Sequence, residues 1–153
     1  MNTHIYKIEF DRNSYNLNED YERLSEYEKE KISDLDAESF FDFEKDDNYG
    51  CFVITTPIEI KKYTTILTNN LIMCDCQDIS QDVLKFYINL EEELKEQIST
   101  INSIKYSFFI DDVDDWIFEN LDIDMILDRI SEVGMESLTR IEKDYLNNFH
   151  TNL

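Results

Sequence analysis

Asp111, Asp112, Asp114 and Asp115 stand within five consecutive positions. Side chains of this type and spacing support three kinds of chemistry. They can gather Mg²⁺ or Ca²⁺ through oxygen ligands, share a proton as an acid–base pair, or present fixed negative charge to a cationic surface. The metal option lacks its usual frame. No glycine follows at the tight-turn position of a D-x-D-x-D-G loop, no glutamate closes such a loop, and Asp111 or Asp112 is expected as a helix cap. Acid–base catalysis gains nothing from this group, because carboxylates abound all along the chain. Charge presentation is the option that the sequence favours.

The remaining chemical side chains are sparse. Cys74-x-Cys76 and Cys51 make an odd set with no disulfide framework. Zinc needs four ligands, and His4 and His150 are not at finger spacing, so buried structural thiols are expected. There is no nucleophile elbow and no glycine-rich phosphate loop. With only Gly50 and Gly134, the backbone has few places to approach a nucleotide closely. The expectation is a protein that is not an enzyme and needs no metal or cofactor. A divalent-metal enzyme ranks behind two binding or structural alternatives.

The net charge of −21 is concentrated. Residues Glu19 to Asp47 carry thirteen acids and four bases, and Asp111 to Glu136 carry ten acids and one base, Arg129. Surfaces of this sign repel phosphate backbones and anionic lipid and attract basic proteins. Direct nucleic-acid or membrane binding is therefore not expected. The predicted contact residues are Asp111, Asp112, Asp114, Asp115, Glu119, Asp122, Asp124 and Asp128, with Glu26, Glu30 and Asp34 from the first block. Trp116, the sole tryptophan, reads either as an aromatic anchor beside that charge or as a core residue. No signal-peptide pattern opens the chain and no apolar run reaches spanning length, so a cytoplasmic location is the expectation. The scarcity of Ala, Gly and Pro against plentiful Asn, Ile and Lys suggests AT-rich coding and a bacterial or phage source.

The elements that must position these residues follow from periodicity. Ile5 to Phe10 alternates as a strand, and an acidic helix is expected over about Glu19 to Ser33. Phe40–Glu44 and Cys51–Thr56 read as a hairpin joined by Lys45–Gly50, with Gly50 at positive φ. Thr56-Pro57-Ile58-Glu59 is a capping box with proline at the first helical position, and Ile60, Tyr63, Leu67 and Leu71 form that helix's apolar face. Leu71–Cys76 reads as a buried strand, followed by a helix capped by Asp78 or Ser80. In it Val83, Tyr87, Leu90, Leu94, Ile98 and Ile101 keep helical spacing and Glu91 pairs with Lys95. Ile104–Ile110 alternates Ile104, Tyr106, Phe108 and Ile110, predicting a central strand with Phe109 on its other face. Asp122 caps a helix with Ile123, Ile126, Leu127 and Ile130 inward and Gly134 as its stop, and Thr139 with Glu142 caps the last helix.

The segment Ile123–Phe149 also resembles the short helical tail of some Bacteroidetes proteins, including rhomboid-family intramembrane proteases. The residues that carry the likeness are Ile126, Leu127, Ile130, Ser131, Gly134, Ser137, Leu138, Thr139, Glu142, Lys143 and Leu146. It implies a terminal helical hairpin and a source of that kind, and no protease, since the membrane core is absent. Small acidic toxin-immunity proteins and phage inhibitors of bacterial defence are similar in size and charge alone.

Together these features predict one α+β domain over residues 1–153. It has a mixed or antiparallel sheet of about four or five strands in residues 1–110, one face of it covered by the helices near 57–70 and 81–100, and an acidic helical extension over 111–150. The leading functional expectation is an inhibitor or immunity-type protein that occludes a basic, nucleic-acid-binding partner such as a nuclease. The alternative is a structural adaptor whose acidity serves solubility. The oligomeric state and the partner's identity are left open.

Overall fold

The computed structural model describes residues 2–10, 17–36, 39–45, 48–96 and 103–151. Four strands, β1 (His4–Phe10), β2 (Ser39–Lys45), β3 (Asn48–Thr55) and β4 (Cys74–Asp78), form one antiparallel sheet in the order β2-β3-β1-β4. The helices are α1 (Leu17–Arg23), α2 (Glu26–Asp36), α3 (Pro57–Asn69), α4 (Ser80–Leu84), α5 (Leu90–Lys95), α6 (Ser103–Asn120), α7 (Ile123–Val133) and α8 (Arg140–Thr151). The fold is α+β, with an antiparallel sheet and a C-terminal helix.

Strand alternation sends apolar residues to both faces of the sheet. Tyr6, Ile8, Phe10, Cys51 and Val53 pack with Leu35 of α2 and with Ile60, Tyr63 and Leu67 of α3. Ile5, Phe41, Phe52 and Ile54 pack with α4 to α7 through Val83, Leu94, Phe109, Val113, Ile117 and Ile126. The sheet is thus sandwiched between two helical layers. The expectation that α3 and the helices near 81–100 share one face is corrected: they lie on opposite faces.

Short-range capping signals locate most helix ends. Thr56 Oγ1 accepts from Glu59 N at 3.2 Å, Asp122 Oδ1 from Met125 N at 2.8 Å, and Gly134 ends α7 at φ 82°. Thr139 and Glu142 close a reciprocal box, Thr139 N donating to Glu142 Oε1 at 2.9 Å and Glu142 N to Thr139 Oγ1 at 3.2 Å. A further box, Ser25 with Glu28, divides the expected first helix into α1 and α2.

Five expectations change. The stretch 104–110 is not a strand but the start of α6, which runs unbroken past residue 110. Tyr106, Phe109, Ile110, Val113, Trp116 and Ile117 follow helical spacing and turn to the core, whereas Phe108 is 67% exposed. The helix expected near 81–100 breaks after Leu84. Phe86 adopts φ 60° and Asn89 recaps α5, leaving Tyr87 exposed, while Glu91 and Lys95 pair at 3.2 Å. Ile98 and Ile101 lie outside the described residues. The buried strand placed at Leu71–Cys76 begins only at Cys74 and is an edge, and Leu71 and Met73 are exposed. Leu127 is half-exposed rather than inward. Gly50 lies in β3 rather than in a hairpin loop. It is needed for close approach, since a Cβ there would meet Ile8 O at 2.2 Å and Phe43 Cζ at 2.6 Å.

Candidate functional site

Four of the ten acids of the second block lie along one face of α6. Asp111, Asp112, Asp115 and Glu119 are all exposed and recur at helical spacing, so they form a stripe along the helix. Phe108, three and four positions before the first two, heads this stripe. Asp122, at the cap of α7, and the exposed Asp124 and Asp128 continue the charge, with half-exposed Leu127 between the last two. None of these aspartates caps α6: Asp111 and Asp112 sit in its middle. Asp112 instead accepts from the Ser39 hydroxyl at 2.7 Å, which ties α6 to β2.

Lys105, exposed near the start of α6, is the helix's single cation, and the two arginines that follow in the chain are engaged away from the stripe. Arg140 lies 3.2 Å from Asp114, and Arg129 pairs with Glu142 at 3.6 Å and stacks over the Phe86 ring. Among the described residues, Asp111, Asp115, Glu119, Asp122, Asp124 and Asp128 have no lysine or arginine within ion-pair distance. Asp114 stands apart from the stripe. Burial raises its carboxyl above the ordinary range, Arg140 opposes that, and the charges of Glu91, Asp111 and Asp115 add to it.

Trp116 is not on this surface. It is 4% exposed, packs in the core, and its indole N–H donates to Thr3 O at 3.0 Å. The exposed aromatic beside the charge is Phe108. Sequence alternation had placed Phe108 inside a strand, so only the phase of a helix running through 104–110 could have identified it.

The first block lies on the other helical layer. Glu26, Glu30 and Asp34 are exposed on α2, and here lysines interleave: Lys29 approaches Glu26 at 3.7 Å and Lys31 approaches Asp34 at 3.8 Å. Both α2 and α6 pack against β2, each from its own face of the sheet. The structure therefore does not merge the two blocks into one surface.

The thiols and carboxylates offer no convergent centre. Cys51 is buried, and Cys74 and Cys76 are half-buried beside α3. Burial, with the neighbouring Cys74, Asp75 and Asp78, pushes the Cys76 thiol up to about 11, which keeps it protonated and a poor nucleophile at neutral pH. Among the described residues, no group of three or more His, Cys, Asp or Glu side chains is placed to hold a metal ion, and no helix is long and apolar enough to cross a membrane. No protein-family model, curated protein or solved structure matches the chain.

Proposed function

We propose that the chain is an acidic protein-binding module that docks on a basic, nucleic-acid-binding protein and covers its phosphate-contacting surface. The observation that carries this reading is the α6 stripe: Asp111, Asp112, Asp115 and Glu119, headed by exposed Phe108, with Lys105 as the single cation of the helix. Like charges held together on a helix repel and destabilise the fold by a few tenths of a kcal/mol per pair, so solubility alone is a poor account of their clustering. Residues four apart advance about 6 Å along a helix axis, close to the roughly 6.8 Å that two nucleotides advance along one DNA strand. An exposed aromatic beside charge supplies the apolar contact that affinity needs once electrostatic attraction has brought the partners together.

The test is affinity capture from a bacterial lysate with duplex DNA as competitor. The wild-type chain should retain basic proteins at about 50 mM salt and release them with added DNA or at about 500 mM salt. Changing Asp111, Asp112 and Asp115 to Asn and Glu119 to Gln should reduce capture at least tenfold. Capture that ignores DNA, salt and these substitutions would overturn the reading and leave the acidic face as a solubility device.

A further inference from the structure

We propose that the outer edge of β4, with Leu71 and Met73 leading into it, receives an extended lysine- or arginine-bearing segment of a partner protein as a fifth strand. β4 ends the sheet, and its register with β1 is continuous from Cys74 to Asp78, with no bulge to interrupt the edge. The direction of its main-chain groups follows from one hydrogen bond. Ile79 N donates to Ile5 O at 2.9 Å, which makes that position a bonded pair. Bonded and non-bonded pairs alternate in an antiparallel ladder. Gln77 and Asp75 therefore bond to β1, and Cys74, Cys76 and Asp78 turn their N–H and C=O groups outward. Natural edges are usually blunted by short length, charge, proline, bulges or a covering element. β4, five residues long with Asp75 and Asp78, relies on the first two, of which negative charge does not repel a basic strand. The opposite edge strand, β2, is tied through Ser39 to Asp112 of α6; β4 has α3 against one of its faces, and among the described residues no strand pairs with its outward side.

The approach to β4 adds a second observation. Ile72 N donates to Leu67 O at 2.9 Å and Leu71 N to Thr68 O at 3.1 Å, a Schellman closure that puts Leu71 at φ 59°, where glycine is preferred. Phe86 takes the same strained place after α4 at φ 60°, but its ring packs on the core beneath Arg129. Leu71 has no such contact and is 77% exposed, with Met73 at 62%. A strained, displayed leucine beside an open edge is an anchor for something that is not part of this fold.

Charge selects the occupant. Asp75 lies opposite Glu9 on one face, with Lys7 drawn to Glu9 at 3.3 Å, while Asp78 is on the other face and paired with His4 at 2.7 Å. The charge that an incoming strand meets is therefore that of Asp75 and Glu9. An incoming strand gains from Lys or Arg at alternate positions, and a second copy of a chain with net charge −21 is repelled. This inference rests on the proposed preference for basic proteins only for the sign of that charge.

The probe is an acetylated, amidated decapeptide of alternating lysine and valine, read by amide hydrogen exchange on the intact chain. At saturation the Cys74, Cys76 and Asp78 amides should slow at least tenfold, while Asp75 and Gln77 stay as they were. Cys76→Pro removes an outward donor without touching the β1 ladder and should weaken peptide binding at least tenfold; Leu71→Gly should weaken it about threefold. Unchanged exchange at β4 in the wild-type chain overturns the proposal, whatever Cys76→Pro does to folding. Equal slowing by a glutamate–valine peptide overturns the basic occupant, and slowing that grows with protein concentration alone assigns the edge to self-association instead. Loss of DNA-competed capture on neutralising α6 is a separate readout, so either proposal can fail while the other stands.

Discussion

Leu71 and Phe86 occupy the same position in two identical helix closures, which makes their replacement by glycine a controlled comparison. Each substitution relieves about 1–2 kcal/mol of left-handed strain and loses roughly 0.4–1 kcal/mol through the freer unfolded chain. These backbone contributions cancel between the two sites. What remains is the side chain. Full burial of a large apolar side chain is worth about 1.5–3 kcal/mol, so 77%-exposed Leu71 forfeits only about 0.5 kcal/mol. Phe86 packs on the core and under Arg129 and forfeits roughly 2 kcal/mol, with about 0.5 kcal/mol more from the cation–π contact. Leu71→Gly should be neutral to slightly stabilising, and Phe86→Gly should be about 2 kcal/mol less stable than Leu71→Gly. For a domain of this size that separates their Tm values by about 4–8 °C. Urea and thermal unfolding followed by circular dichroism measure both. If Leu71→Gly loses as much as Phe86→Gly, the leucine is used within the fold and the argument that it is displayed for a partner fails.

Three further outcomes follow from the core and the charges. Arg129→Met strands the fully buried Glu142 and should destabilise by about 3–5 kcal/mol in urea unfolding; adding Glu142→Gln should recover a large part of that loss. Burial alone would raise the Asp78 carboxyl, but hydrogen bonds from Ser80 and His4, and the charge of His4, hold it below its ordinary value. A depressed carboxyl stabilises the fold above its unfolded pKa, and that contribution fades as pH falls through the folded one. Asp78→Asn should therefore lower Tm at pH 6, with a difference that shrinks as pH falls through the folded carboxyl's value, and a Tm difference that persists undiminished at the acid end would contradict this. Neutralising Asp111, Asp112, Asp115 and Glu119 together should raise Tm in low salt and reduce its dependence on sodium chloride.

Local grammar was the legible part of the sequence. The boxes at Thr56–Glu59 and Thr139–Glu142, the cap at Asp122 and the stop at Gly134 each involve a few consecutive residues whose hydrogen bonds need no distant partner. Reading failed where two periods fitted one stretch. The 104–110 segment satisfies strand alternation through Tyr106, Phe108 and Ile110, and equally satisfies a helix once Val113, Trp116 and Ile117 are counted with it. That single choice moved Phe108 outward and Phe109 inward, and so changed which aromatic stands beside the charge. Assigning helices to faces of the sheet also lay beyond the sequence, because it depends on strand order.

The placement of α2 and α6 on opposite sides of the sheet bears on how the two acidic blocks act together. Each helical layer lies on the order of 10 Å from the sheet, so roughly 20 Å separates the two carboxylate fields. Screening acts over about 8 Å at physiological ionic strength and about 30 Å at 0.01 M. In dilute buffer the molecule acts as one diffuse polyanion with no preferred side. At physiological ionic strength the two fields are screened from each other, so each acts on its own side of the sheet independently.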